Sequence, residues 1–228
     1  MDLTIATWNI HSAIGTDGRF DLARTAAVLR EIDAPVVALQ EVGDFRGRTP
    51  HSEHALELGS ELGLHVAFAP TLERRGRRYG NALLSRFPIA WTRAIDLSVR
   101  GHEPRGALLV RLDAPSPLEV ACVHLGLGPF ERRAQEERLA ASLPRGRLAV
   151  CGDFNHLTER RVRLGRLRDA ACVLDRRART CPSAFPLFRF DRVFVSAGLV
   201  PRSLGVHSSR AARRASDHLP LVASLEVA

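Results

Sequence analysis

Lysine is absent from this chain of 228 residues: all 33 of its lysine-plus-arginine positions are arginine. Against 25 acids they leave a formal net charge of +8. Such a surplus suits polyanionic partners, either nucleic acid or anionic lipid headgroups. Because every cation is an arginine, coding bias explains the surplus about as well as a ligand does. The charge therefore supports a phosphate-bearing partner without identifying one.

Cysteine is scarce too. The four present, Cys122, Cys151, Cys172 and Cys181, form no C-x-x-C pair and no metal-ligand spacing, which excludes a zinc site. Cys122 and Cys151 sit inside V-A-C-V and A-V-C-G runs, where cysteine behaves as a small buried hydrophobe. Cys172 and Cys181 are expected as free thiols. Nothing approaches the roughly 18 uninterrupted apolar residues of a membrane span. The opening M-D-L-T-I has neither the basic nor the apolar region of a signal peptide, so the expected location is cytoplasmic. There is no long Pro/Gly/Ser linker and no low-complexity tract, so one catalytic domain over 1–228 is expected. Apolar and charged fractions of 45% and 25% are those of an ordinary soluble globule able to bury a substantial core.

Apolar or alternating runs predict strands over 3–10, 35–40, 66–69, 82–85, 89–97, 107–112, 118–125, 147–151, 192–196 and 219–227, with an edge strand over 204–207. Helical periodicity marks 20–32, 52–62 and 130–143, and a short, very basic fourth helix over 158–167. The first and last thirds alternate strand and helix, while the middle reads as a meander. Two mixed sheets face to face with helices outside, a four-layer α/β sandwich, account for that order. The halves could be related by a weak internal symmetry. The stretches 74–78 (R-R-G-R-R) and 208–214 are basic and expected to be exposed.

What is present in quantity is a series of short polar motifs, each closing an apolar run. In order they are T-W-N-I at Asn9, L-Q-E-V at Glu41, R-Y-G-N-A at Asn81, E-P-R-G at Arg105 and C-V-H-L at His124. C-G-D-F-N at Asp153 and Asn155, F-D-R-V at Asp191, and S-D-H-L-P at Asp217 and His218 complete it. Acids, amides and imidazoles at the ends of buried strands carry a desolvation cost that a core alone would not select. Taken singly, Glu41 fits a turn cap, D-F-N fits an Asx-turn, and His124 fits a structural hydrogen bond. Together they point to a metal-dependent phosphoester site. Mg²⁺ is hard and reluctant to dehydrate, so it needs few protein oxygens and takes the substrate phosphate as another. Glu41 suits a direct carboxylate ligand, with Asn9 holding the metal or its water shell through its amide oxygen. Asn81 and Arg105 suit donors to the phosphate.

The ordered set, spanning Asn9 to His218, resembles the endonuclease/exonuclease/phosphatase superfamily. That superfamily includes exonuclease III-like and DNase I-like nucleases, neutral sphingomyelinases and inositol polyphosphate 5-phosphatases. The resemblance implies a DNase I-like fold and a Mg²⁺-dependent phosphodiesterase, with Mn²⁺ as a substitute, working by in-line attack of water on phosphorus. It implies Asp153 as the base, Asn155 on the water or a phosphoryl oxygen, and His218 stabilising the developing charge, with Asp191 fixing its tautomer. It also implies Asp217 as a further metal-site carboxylate and His124 as a second imidazole on the phosphate. The acid expected two residues after the first Asn is His11 here, and the family's mid-chain tyrosine has no clear counterpart, Tyr79 being the only tyrosine. Those departures, with aromatics at 6%, point away from an abasic-site endonuclease. T-W-N-I-H, R-G-A-L-L-V and H-L-G-L, followed by Arg132 and Gln135, look closer to the small bacterial sphingomyelinase-like branch. The expected partner is a phosphodiester substrate, nucleic acid or phospholipid headgroup, met by a monomer able to touch anionic surfaces peripherally. The alternatives are a nuclease on DNA or RNA specifically, and a catalytically silent nucleic-acid-binding or scaffolding protein.

Overall fold

Odd and even positions of the first strand face different cores. Leu3 and Ile5 point into one apolar cluster, while Ala6, Trp8 and Ile10 point into another. Such two-sided burial belongs to the inner strand of a covered sheet, and the chain repeats it several times. The computed structural model describes residues 2–157, 162 and 164–227. Its first elements are β1 (Asp2–Asn9), a 3₁₀ turn (His11–Ala13), α1 (Leu22–Ile32), β2 (Val36–Gly43) and α2 (His54–Leu62). There follow β3 (His65–Arg74), β4 (Arg77–Ser85), β5 (Ile89–Asp96), β6 (Gly106–Leu112), β7 (Leu118–His124), α3 (Pro129–Ser142) and β8 (Leu148–Asp153). The last are β9 (Arg168–Asp169), α4 (Ala170–Val173), β10 (Asp191–Val195), β11 (Leu199–Val206), α5 (Arg210–Ala215) and β12 (Leu221–Val227).

The strands form two six-stranded mixed sheets, ordered β11-β12-β1-β2-β4-β3 and β5-β6-β7-β8-β10-β9. One core lies between them. It takes Leu3, Ile5, Val36 and Ala38 from the first sheet and Val120, Cys122, Ala149, Cys151 and Val193 from the second. A second core joins the first sheet to α1 and α2 through Trp8, Leu29, Leu39 and Leu58. A third covers the second sheet with Val123, Leu139, Val150 and Phe194. Three cores separate four layers, the sandwich anticipated from the element order. Cys122 and Cys151 are buried as expected and all four cysteines are free.

Each sheet has one parallel pair at its centre, β1 with β2 and β7 with β8, flanked on both sides by antiparallel strands. Parallel pairing requires a crossover, supplied by α1 in the first half and α3 in the second. The carboxyl ends of both pairs and the starts of their antiparallel neighbours consequently fall at one end of the sandwich. Gly152 keeps β8 close to β7. Its φ is +151°, and a Cβ there would lie 1.9 Å from the Val123 carbonyl oxygen.

Several sequence expectations need revision. The 74–78 stretch is a hairpin turn, with Arg75 and Gly76 at φ of 51° and 75°. Only its tip is free of the body. Arg77 donates to Asp44 and to the Thr49 carbonyl (2.6 Å), and Arg78 pairs with Glu53 (2.8 Å). The 208–214 stretch is largely α5, N-capped by Ser209 Oγ accepting from the Ala212 N–H (3.1 Å), with Ala212 and Ala215 buried. Arg74, Arg75, Arg210 and Arg214 are exposed as expected, while Arg77 and Arg78 are paired and half-buried. The expected helix over 158–167 falls largely on 158–161 and 163, outside the described residues; 162 and 164–167 are not helical.

Asp44 folds the segment after β2 into a braced loop, accepting from the N–H groups of Arg46 and Thr49 (both 2.8 Å). His54 anchors its far side, Nδ1 accepting from the Gly43 N–H at 3.2 Å. Burial pulls the His54 imidazole down to about 4, against a partial offset from its hydrogen bond to the His51 carbonyl.

Gly152→Ala should lower unfolding free energy by more than about 3 kcal/mol, since strand backbone itself would have to move; urea unfolding checks it. An unfolded histidine takes its proton near 6.5 while folded His54 resists until about 4, so stability should fall as pH drops through that window and level off below it. In His54→Asn that component, up to about 3 kcal/mol, should vanish from the pH dependence measured by urea unfolding at pH 7 and pH 4.

Candidate active site

The end of the sandwich where both parallel pairs terminate holds a cleft of about 340 Å³. β1 ends on Asn9, β7 on His124 and β8 on Asp153. Glu41 sits in β2 at a bulge with a left-handed backbone, φ 55°. The antiparallel neighbours bring Asp191 at the start of β10, Asp217 and His218 just before β12, and Arg105 just before β6. Left-handed backbone outside glycine costs energy and is kept where surroundings enforce it. Here it recurs at Glu41, at Asn155 and through the turn His11–Ala13 that follows Asn9.

Asn9 links the two sheets. Its Nδ2 donates to Glu41 Oε1 (2.9 Å) and to Asp153 Oδ2 (3.1 Å), and its Oδ1 accepts from the His11 N–H (3.0 Å). The amide oxygen takes one backbone N–H and keeps a second lone pair for a metal or its water, while the amide nitrogen clasps two carboxylates. Asp153 also accepts from the Asn155 N–H (2.9 Å), and the Nε2 atoms of His124 and His218 each lie 3.7 Å from its Oδ2. His218 Nδ1 meets Asp191 Oδ2 at 2.9 Å. The same oxygen accepts from the Thr180 hydroxyl.

This buried set has a definite charge pattern. Burial raises the Asp153 carboxyl to about 6; His218 pulls it back, Asp191 pushes it further, and hydrogen bonds from Asn9 and Asn155 restrain it. Burial alone would discharge His218, but the facing carboxylates of Asp191 and Asp153 hold its pKa well above the usual range. Burial depresses His124 well below that range, with Arg105 and His218 adding to the effect. The two imidazoles on the cleft floor are thus shifted in opposite directions, His218 up and His124 down, and the carboxyl between them is shifted up.

The remaining expected residues divide. Asn155 donates through Nδ2 to the Leu125 carbonyl (2.9 Å), which leaves Oδ1 as an acceptor toward the cleft it lines. Arg105 is buried and paired with Glu103, but its Nε has no partner. Asp217 is exposed at the rim. Asn81 does not line the cleft. It is committed through Nδ2 to the Gly106 carbonyl (2.8 Å), joining β4 to β6, and lines a neighbouring cavity that shares Arg105. The reason is registry: Asn81 faces the second sheet, and an unpaired inter-sheet carbonyl would cost more than an amide there gains from solvent.

Some participants carried no separable signal. Tyr79 lines the cleft, and burial with the neighbouring Glu41 holds its phenol well above the ordinary value, so it stays a neutral donor to Glu41. Thr180 belongs to no motif. Ser216, within S-D-H-L-P, donates to the Asn9 carbonyl (2.7 Å) and accepts from the His218 N–H (3.2 Å). Trp8 donates its indole N–H to the His218 carbonyl at 2.9 Å. Gln135 and Arg132 hold the loop after His124 by bonding the Gly126 N–H (2.8 Å) and carbonyl (3.3 Å).

Glu41 and Asp217 supply oxygen donors on the cleft wall, while the imidazoles are engaged around Asp153. Among the described residues no three acid, imidazole or thiol groups gather as a closed cage. A hard cation that keeps water and takes substrate oxygen fits this donor set; a four-ligand soft-metal site does not.

Residues 6–218 match the sequence pattern of the Endonuclease/Exonuclease/phosphatase family. The uncharacterized protein YbhP of Escherichia coli (strain K12) is 33% identical over 245 residues, spanning 98% of this chain and 96% of that protein. An endonuclease/exonuclease/phosphatase structure from Beutenbergia cavernae DSM 12333 superposes with a TM-score of 0.77 at 24% identity, covering 99% of this chain and 72% of that one. Truncated Caenorhabditis elegans TDP2 superposes at 0.73 and 17% identity, over 100% of this chain and 98% of its own. At those identities the structures speak for the fold. With the matched span running to His218 and both sheets shared, the chain belongs to the endonuclease/exonuclease/phosphatase family, whose members hydrolyse phosphoester bonds.

Proposed function

We propose that the protein is a Mg²⁺-dependent phosphodiesterase acting on a diester of nucleic-acid or phospholipid type, with Mn²⁺ able to substitute. The observation that carries this reading is the buried Asp191–His218–Asp153–Asn9 chain of contacts opening onto a cleft with oxygen donors on its wall. Asp153, with its carboxyl near neutrality, takes the proton from the attacking water. Asn155 Oδ1 is an acceptor, so it suits the water rather than a phosphoryl oxygen. His218, fixed by Asp191 and charged, faces the negative charge that grows on phosphorus. His124 donates to a phosphoryl oxygen, and the Arg105 guanidinium adds positive charge at the cleft it lines. Mg²⁺ held by Glu41, Asn9 and Asp217 would neutralise phosphate charge and lower the cost of hydroxide.

Phe45, Arg46 and Arg48 also line the cleft, with the Arg46 guanidinium 5.1 Å from the Phe45 ring centroid. An aromatic ring beside cations favours a nucleic-acid strand as a second, narrower reading.

Metal-stripped protein should be inert toward bis-p-nitrophenyl phosphate and regain turnover when Mg²⁺ is restored. Asp153→Asn and His218→Asn should each lower kcat by about 10²–10⁴-fold while the circular dichroism of the folded chain is retained. Near-wild-type turnover by Asp153→Asn would rule out its role as base. Nicking of supercoiled plasmid by wild type and not by Asp153→Asn would select the nuclease reading; its absence in folded protein, with diester turnover intact, would reject that reading.

A further inference from the structure

Four of the eight large apolar side chains exposed among the described residues lie on the segments that follow β7 and precede β10, at the cleft end of the sandwich. Leu127 and Phe130, after β7, are 73% and 89% exposed; Phe185 and Leu187, before β10, are 72% and 47% exposed. Leu127 lines the cleft itself, as do Cys181 and Phe190 at the two ends of the second loop.

These tips sit on segments braced by hydrogen bonds. Leu127 lies in the segment held by Gln135 and Arg132, and Phe130 is at the start of α3, whose Glu131 accepts from the Gly128 N–H (3.2 Å). The second loop closes on itself. The N–H groups of Leu187 and Phe188 donate to the Cys181 carbonyl (2.9 and 2.8 Å), and that of Phe185 donates to the Pro182 carbonyl (3.1 Å). Phe188 stacks on Phe190 beneath it, centroids 5.3 Å apart. The loop thus spends two of its phenylalanines as a base and projects the third. A phenylalanine projected into water from a hydrogen-bonded loop serves no core.

Cations border the tips. Arg213 of α5 donates to the Ser183 (2.8 Å) and Ala184 carbonyls, setting that basic helix against the Phe185 loop, with Arg210 and Arg214 exposed on it. Exposed Arg46 and Arg48 line the same cleft as Leu127. Apolar tips between arginines match an anionic bilayer surface, whose headgroups attract the guanidinium groups and whose acyl boundary accepts the side chains.

We propose that this face docks the protein peripherally on anionic membrane, with Leu127, Phe130, Phe185 and Leu187 entering the interface and the catalytic cleft turned toward headgroups. The docking surface is independent of the reaction proposed for the cleft. It is tested by co-sedimentation of the wild-type chain with phosphatidylcholine vesicles containing 30% phosphatidylglycerol, and with phosphatidylcholine alone. Binding to the anionic vesicles should exceed binding to neutral ones by at least tenfold and weaken with salt. Phe130→Ser combined with Phe185→Ser should cut it at least tenfold with Tm unchanged, while Trp91→Ser, an exposed aromatic on edge strand β5, should leave it intact. Absence of binding at low salt, or equal binding by the double variant, would overturn the proposal. A dimer in solution that the double variant dissociates, without vesicle binding, would assign the face to a second copy and overturn it as well.

Discussion

The interaction on which the site depends is the bond from Asn9 to Asp153. Asn9 ends an inner strand of one sheet and Asp153 ends an inner strand of the other, so a 3.1 Å contact ties the two sheets at the cleft edge. It is buried, and the same amide group holds Glu41 at 2.9 Å. Buried carboxylates demand partners, because an unpaired one pays the full cost of leaving water. Asp153 is supplied from four directions: an amide from the first sheet, a backbone N–H from its own turn, and two imidazoles. Those partners bring together strand ends that are far apart in sequence.

The arrangement follows from topology repeated in both halves. A parallel pair leaves two carboxyl ends side by side, and an antiparallel strand on either flank must begin at that same end. Each sheet therefore offers four chain segments to one edge, and face-to-face packing doubles the set. Asn9 and Glu41 answer His124 and Asp153 in position, and the residues before β12 answer those before β6. This is the internal symmetry suspected from the order of elements, visible in pairing patterns rather than in residue identity.

Charge shows why composition was a blunt guide. Arginine pairs recur among the described residues: Arg24 with Asp17 and Asp21, Arg77 with Asp44, Arg78 with Glu53, and the buried pair Arg189 with Asp169. Several of these hold loops that shape the cleft mouth instead of facing solvent. The planar guanidinium suits that work, since one group can satisfy several carbonyls and a carboxylate at once. Arg77 does so, reaching Asp44, Thr49 and His51.

The sequence by itself determined the layers and most of the site. Alternating apolar runs assigned β1, β2, β7, β8 and β10, since period-two burial is a local property of a covered strand. Motifs closing those runs marked Glu41, His124, Asp153, Asp191 and His218, because a polar group after a buried strand is conspicuous in one dimension. Tertiary structure alone decided who partners whom. Asn81 carries the same motif character as Asn9, yet registry turns it to the Gly106 carbonyl. Thr180 has no motif, yet folding places its hydroxyl on Asp191. The Asn9 amide nitrogen meets Glu41 and Asp153, and its oxygen meets the His11 N–H, partners that lie on three different segments. Such choices depend on which groups meet across more than a hundred residues of chain, and no local pattern encodes that distance.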